Sequence, residues 1–331
     1  MRLTGRILWT NPFIIYTPLF LEDDPEWDFD RLLKSLEHEK CIFFKNIYWS
    51  IEGEYQINRV KKWLLQRSNK NHRYIFLCNS RLEASQLQSV GIEAYLIHQN
   101  AFVDPNLFYI DLSTPKIYSA IYNATLHPYK RYELASKVDG LSIISRDMDP
   151  VYVDTILKPI MPLNILNQFN EYGQPMQIER SKLIPIYNQA FCGLALSEKE
   201  GAMFASMEYL LCGLPVVSTK SVGGRDYFFT KSNATILDED DVDKIADAVK
   251  NWALTWSPEQ SIRIREDAIS MQRAELEKFK ILLGSLLAQF ENFIDPDIVF
   301  SRSYTNSMGA FYPNASSFLS SEVERLNSFA A

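Results

Sequence analysis

The stretch Leu196–Phe228, LSEKEGAMFASMEYLLCGLPVVSTKSVGGRDYF, decides the fold. An apolar segment, Phe191 to Leu196, runs into it and reads as a buried strand. Glu200 then precedes the small residues Gly201 and Ala202, and Met203 and Phe204 open a helical pattern. Cys212, Gly213, Leu214 and Pro215 end that pattern and lead into a second apolar strand, which stops at Gly223-Gly224 before Arg225. A strand that stops at a glycine-containing turn opening a helix favours a bound anion, because free N–H groups and the helix dipole both point there. Glu200 and Glu208 are eight residues apart. If the helix opens at Gly201, they lie about two turns apart on nearly one side, with Glu208 placed to accept hydrogen bonds from ribose hydroxyls.

The pattern Glu200, seven residues, Glu208, then Gly213-Leu214-Pro215-Val216-Val217 resembles the nucleotide-sugar signature of retaining glycosyltransferases with the GT-B fold, family four in particular. The resemblance implies two Rossmann-like parallel-sheet domains facing across a cleft. It also implies transfer of a sugar from a nucleoside diphosphate donor to an acceptor (a glycan, a lipid-linked sugar or a small molecule) with retention of configuration. Segment Asn100–Phe108 resembles the turn that closes the N-terminal domain of these enzymes. Segment Asn123–Arg131 resembles their cationic loop, in which an arginine and a lysine hold the diphosphate. Lys130 falls on the lysine; Thr125 falls where the arginine is expected, so Arg131 or Arg225 is the expected substitute. By the same resemblance Glu200 sits beside the transferred sugar, Glu208 binds the ribose, and Gly201, Ala202, Met203 and Phe204 offer backbone N–H groups. Gly223 and Gly224 let a loop pass close to the nucleotide. His98 and His127, in loops, are candidates to meet a phosphate or a sugar hydroxyl. The catalytic pair is thus Lys130 and Glu200, with no protein nucleophile assigned.

Apolar strands alternating with amphipathic helices predict an α/β fold with parallel sheets. The expected organisation is a short N-terminal acceptor-side domain over 1–115, a nucleotide-sugar-binding domain over 116–256, and a helical region and tail over 257–331. Predicted elements include strands at Cys41–Tyr48, Tyr74–Cys78 and Leu141–Ser145, helices at Glu54–Gln66, Arg81–Val90 and Arg131–Lys137, and a long helical region over Ser261–Phe293. The tail from Asp295 is rich in Ser and Asn and weakly patterned.

The net charge of −7 argues against a general nucleic-acid binder. Cys41, Cys78, Cys192 and Cys212 lie inside apolar segments without Cys-x-x-Cys spacing and read as buried free thiols. The apolar run Phe13–Leu21, ended by Glu22, Asp23 and Asp24, is too short to span a bilayer. A cytoplasmic protein is expected, with peripheral contact to the inner face of a membrane as an option. No His/Cys/carboxylate cluster has metal spacing, and the Asp-x-Asp pairs (Asp28/Asp30, Asp238/Asp240, Asp241/Asp243, Asp295/Asp297) are too frequent to specify a metal. No cofactor and no metal are expected. Two rivals stand beside the transferase: a nucleotide-sugar epimerase or phosphorylase of the same fold, and a non-catalytic sugar-nucleotide-binding subunit.

Overall fold

The computed structural model describes residues 3–19, 27–47, 49–290, 295–303 and 309–329. The chain divides into two compact units, residues 1–103 with 272–331, and residues 104–271. The boundary expected at 115/116 therefore falls at 103/104. The C-terminal region expected to stand apart after 256 is shared: 257–271 belongs to the second unit, and the rest completes the first.

In the first unit, β1 (Leu3–Thr10) and β2 (Phe13–Leu19) form an antiparallel hairpin, and β3 (Cys41–Ile47), β4 (His72–Cys78) and β5 (Ala94–Leu96) continue in parallel from β2. Helices α1 (Trp27–Ser35), α2 (Gly53–Gln66) and α3 (Arg81–Ser89) alternate with them. The β3 residues CIFFKNI are all buried, as a strand covered on both faces must be. Phe43 and Ile47 face one hydrophobic cluster and Ile42 and Phe44 the other. Helix α3 opens with a capping box between Ser80 and Glu83 and is followed by Gly91 at φ 78°, a conformation that stops the helix at little cost only for glycine. Tyr48 and residues 20–24, parts of two expected segments, lie outside the described residues.

The second unit holds β6 (Tyr118–Asn123), β7 (Leu141–Ile144), the short α4 (Pro150–Tyr152), α5 (Arg180–Asn188), β8 (Ala190–Ala195), α6 (Phe204–Leu211), β9 (Val216–Thr219), β10 (Ala234–Leu237) and α7 (Val242–Thr255). Its sheet is parallel throughout, in the order β10-β9-β8-β6-β7. From β6 the chain builds β7 on one side and then β8 on the other. The strand order thus reverses between β6 and β8, and in open α/β sheets ligands bind beyond the carboxyl ends at that point.

Helix α8 (Pro258–Leu287) begins in the second unit, and its later residues Phe279, Leu283 and Leu286 join the core of the first. Its end, expected at Phe293, comes earlier; residues 291–294 are outside those described. The weakly patterned tail folds as α9 (Pro296–Ser303), β11 (Ala310–Tyr312) and α10 (Ala315–Ser328). Strand β11 pairs antiparallel with β1, so the first unit's sheet has six strands. The four cysteines are free and buried, and burial raises their thiols, that of Cys41 to about 12. Among the described residues no helix is long and apolar enough to cross a membrane.

Candidate functional site

The loops leaving β6 and β8, the two strands at the switch point, carry the residues on which the sequence reading turned. After β6 the chain makes a 3-10 turn, Pro128–Lys130, and Arg131 follows at φ 52°. That left-handed residue prevents the helix expected over Arg131–Lys137; a second 3-10 turn, Tyr132–Ala135, takes its place. The fully buried Tyr122 on β6 donates its hydroxyl to the Lys130 carbonyl at 2.6 Å and so fixes the turn to the sheet.

Lys130 is 8 % exposed, and its ammonium donates to Glu200 Oε1, although 70 residues separate the two in sequence. The hydroxyl of Ser197 donates to the other oxygen, Oε2. Glu200 is held by its backbone as well. Its N–H donates to Val222 O at 2.8 Å, and its carbonyl accepts the Arg225 N–H at 3.3 Å. This pairing is extended, so Glu200 cannot belong to the helix. The helix opens at Phe204, with Met203 as its N-cap and no side-chain cap bond. The expectation of two glutamates along one helical face is therefore corrected: Glu200 precedes the helix in a strand-like bridge, and Glu208 alone sits on α6. Gly201, Ala202 and Met203, all buried, form the lead-in, and Phe204 is half-buried. The bridge runs on to Gly223 and Gly224, at φ 109° and 113°, where the chain turns back past Glu200.

Glu208 is 6 % exposed. Tyr187 donates its hydroxyl to Oε2 at 2.7 Å, and Asn123, the last residue of β6, donates Nδ2 to that same hydroxyl at 2.6 Å. Burial pushes the Glu208 carboxyl above the usual range, opposed by the Tyr187 bond and the charge of Arg180. The Asn123 N–H donates to the Tyr209 hydroxyl at 2.6 Å, and the Tyr209 ring packs edge-on to Tyr187 at 5.1 Å between centroids. Gly193 on β8 admits that ring, since a Cβ there would lie 2.1 Å from Tyr209 Cδ2. A Schellman ending closes α6: the Gly213 N–H donates to Leu210 O and the Leu214 N–H to Tyr209 O. Asn123, Tyr187, Ser197 and Tyr209 escaped the sequence reading. Only the place of Asn123 at the carboxyl end of a strand beside the signature could have flagged one of them.

The two arginines expected to replace the missing loop arginine are engaged elsewhere. Arg225 is fully buried. It donates through Nε to Asp226 at 2.9 Å, through Nη1 to the carbonyl and hydroxyl of Ser197, and through Nη2 to Ser218 Oγ at 2.7 Å and the Thr219 carbonyl. In this structure it braces the loop that carries Glu200. Arg131 donates to Leu196 O at 2.6 Å, Thr219 Oγ1 at 2.6 Å and Asp240 at 2.8 Å. Thr125 shares a hydrogen bond with the Tyr129 hydroxyl at 2.7 Å. His127 pairs with Asp147 at 3.0 Å and stacks on Tyr129. His98 belongs to the first unit, is fully buried, and accepts the Asn100 N–H on Nδ1 at 3.1 Å. Among the described residues no group of three or more His, Cys, Asp or Glu could hold a metal ion.

No family model and no curated protein matches the chain. Solved structures do. Sucrose-phosphate synthase from Thermosynechococcus elongatus is 15 % identical with a TM-score of 0.59, over 84 % of this chain and 74 % of that one. Anabaena HepE in complex with UDP-glucose is 11 % identical with a TM-score of 0.56, over 79 % and 82 %. TarM is 16 % identical with a TM-score of 0.51 over 73 % of this chain, which spans 50 % of TarM's length. With a sheet parallel from β2 to β5 in the first unit, a fully parallel one in the second, and its switch-point loops, the chain has the GT-B fold of these glycosyltransferases.

Proposed function

We propose that the chain transfers a sugar from a nucleoside diphosphate sugar to a hydroxyl acceptor, with retention of configuration and without a divalent metal. The observation that carries this reading is the pairing of Lys130 with Glu200 beside the N-terminus of α6, beyond the carboxyl ends of β6 and β8. Transfer builds negative charge on the leaving diphosphate, and a fixed ammonium with helix N–H dipoles stabilises it there. Lys130 is the ammonium. Glu208 accepts from the ribose on the oxygen that Tyr187 leaves over, and Glu200 meets the hydroxyls of the sugar. The acceptor oxygen bonds to the anomeric carbon on the face the diphosphate leaves. The bond from that carbon to phosphate oxygen breaks, and the acceptor's proton goes to the departing phosphate. HepE, of the same fold, was solved with UDP-glucose, which makes UDP sugars the first donors to try. The acceptor is a glycan, a lipid-linked sugar or a small molecule, and the reaction is cytoplasmic.

The test is a donor screen of UDP, GDP, ADP, TDP and CMP sugars by thermal shift, followed by turnover of the best donor with EDTA present. A donor at a hundred times its Kd adds about 2.7 kcal/mol to the unit that binds it. Release of free nucleoside diphosphate in EDTA supports the transferase. Activity abolished by EDTA and restored by Mn²⁺ refutes the metal-free part. A second reading, a sugar-nucleotide-binding subunit without turnover, is favoured by the engagement of Arg131 and Arg225 with protein partners. Donor binding without release of diphosphate, whatever acceptor is offered, decides for it.

A further inference from the structure

The solvent face of α2 combines cations with large apolar side chains in a chain that is acidic overall. Between Gly53 and Arg73 the sequence places Arg59, Lys61, Lys62, Arg67, Lys70 and Arg73 against Glu54 alone. Arg67 pairs with Asp30 and Arg73 with Glu93, each at 2.8 Å. Among the described residues Arg59, Lys61, Lys62 and Lys70 form no salt bridge with a carboxylate. The helix buries Ile57, Val60 and Trp63. Opposite them, at spacings of three, four and three, stand Tyr55, Asn58, Lys62 and Leu65, one outward row. Tyr55 is 72 % exposed and Leu65 78 %. Arg59 flanks the row, its guanidinium 5.9 Å from the Tyr55 ring centre, and Lys61 flanks the other side.

We propose that this face of α2 docks on an anionic lipid surface, with Lys61, Lys62 and Arg59 among the headgroups and Tyr55 and Leu65 in the outer acyl boundary. Charge selects the surface. The remainder of the chain is acidic enough to bring the net charge to −7, so an anionic membrane repels other faces and orients the protein through this one. The apolar ends of the row select lipid over a soluble polyanion, which has no hydrocarbon for Tyr55 and Leu65 to enter. The helix lies on the surface and does not cross it. The proposal stands whether or not the chain transfers a sugar.

The full-length chain is sedimented with phosphatidylcholine vesicles and with equimolar phosphatidylcholine–phosphatidylglycerol vesicles, at low and high salt. Binding to the anionic vesicles alone, lost at high salt, is expected. Each removed cation should weaken it about fivefold, so Lys61→Gln/Lys62→Gln should lose about 25-fold. Tyr55→Ser/Leu65→Ser should also release the chain, with its melting curve unchanged because neither side chain is in the core. No binding by the wild type, or equal binding to both vesicles, overturns the proposal. So does competition by heparin together with full vesicle binding by Tyr55→Ser/Leu65→Ser, which marks a polyanion site instead.

Discussion

Removing Lys130 should separate its pairing with Glu200 from the phosphate role proposed for it. Its side chain is 11 % exposed and that of its partner Glu200 14 %, so the pair is mostly screened from water. A charge-assisted hydrogen bond in such a place contributes about 1.5–3 kcal/mol, or roughly 10- to 150-fold in affinity for a nucleoside diphosphate. Glu200 holds the ammonium when no phosphate does, so the diphosphate must compete and the loss in Lys130→Ala belongs to the lower half of that range. The free nucleoside, which has no phosphate, should bind as before. Stability should fall too, because Glu200 keeps only the Ser197 hydroxyl; an unpaired buried partner costs about 1–3 kcal/mol. Restoring neutrality with Lys130→Met/Glu200→Gln should recover the melting temperature without recovering diphosphate affinity. Glu200→Gln alone should tighten diphosphate binding, since it removes the competing carboxylate. Calorimetric titration of nucleoside and nucleoside diphosphate, with melting curves for all three variants, reads these effects. Equal losses for nucleoside and diphosphate in Lys130→Ala would refute the phosphate role. Weaker diphosphate binding in Glu200→Gln would refute the competition between carboxylate and phosphate.

The other site residues give sharper contrasts. Glu208→Gln keeps the shape of the side chain but removes the charge, so nucleoside diphosphate affinity should drop about fivefold, whereas Glu200→Gln, as above, should raise it; the reverse pattern in calorimetry would exchange the two roles. Gly193→Ala drives a Cβ to 2.1 Å from the Tyr209 ring, and overpacking of this kind costs about 1–3 kcal/mol or more, so an unchanged melting curve would show that the ring is free to move. Glu83, fully buried in the first turn of α3, has its carboxyl raised to about 7 because burial outweighs three backbone N–H bonds from Ile51, Asn79 and Ser80. Its folded value lies above its unfolded one, so its contribution is full below about pH 4.5 and is lost as pH climbs through about 7. Glu83→Gln should flatten that part of the stability–pH curve; the same slope in both proteins would assign it to another group.

How far the sequence could be read follows from the range of the interactions involved. The strand–turn–helix signature is local, and its ends are written in Pro215, Gly213 and Gly223, so the parallel sheet and the switch-point loops were legible. The helix start was not. It depends on Glu200 bonding to Val222 and Arg225, a pairing across 22 and 25 residues that helical periodicity cannot register. The uses of Arg131 and Arg225 were hidden for the same reason, because their partners come from Leu196, Ser197, Ser218, Thr219 and Asp240, in other strands and loops.

The C-terminal tail was the largest omission, and its stability can be tested. Strand β11 has three residues and α10 carries many serines, so neither declares a pattern. What fixes them is Glu322, which is closed to solvent and ringed by donors. It accepts Arg6 Nη1 at 2.7 Å, the Ile7 N–H at 2.8 Å and Arg325 Nη2 at 2.9 Å, together with the Tyr312 hydroxyl. Burial alone would raise its carboxyl, yet the bonds from Arg325 and Tyr312 and the charge of Arg6 hold it below the usual range. A depressed folded value contributes stability that is fully present above the unfolded value and is lost as pH falls through the folded one. Glu322→Ala takes the acceptor from the buried Arg6 guanidinium and from three further donors, and breaking a buried pair this way costs about 3–5 kcal/mol. It should release β11 and α10 from β1, lower the melting temperature of the first unit, and open the tail to proteolysis after Gly309. Glu322→Gln, which keeps the acceptor geometry without the charge, should lose less and should lose its acid sensitivity. A tail that stays protease-resistant in Glu322→Ala would mean that the apolar contacts of Phe318 and Leu326 hold it without the buried charge.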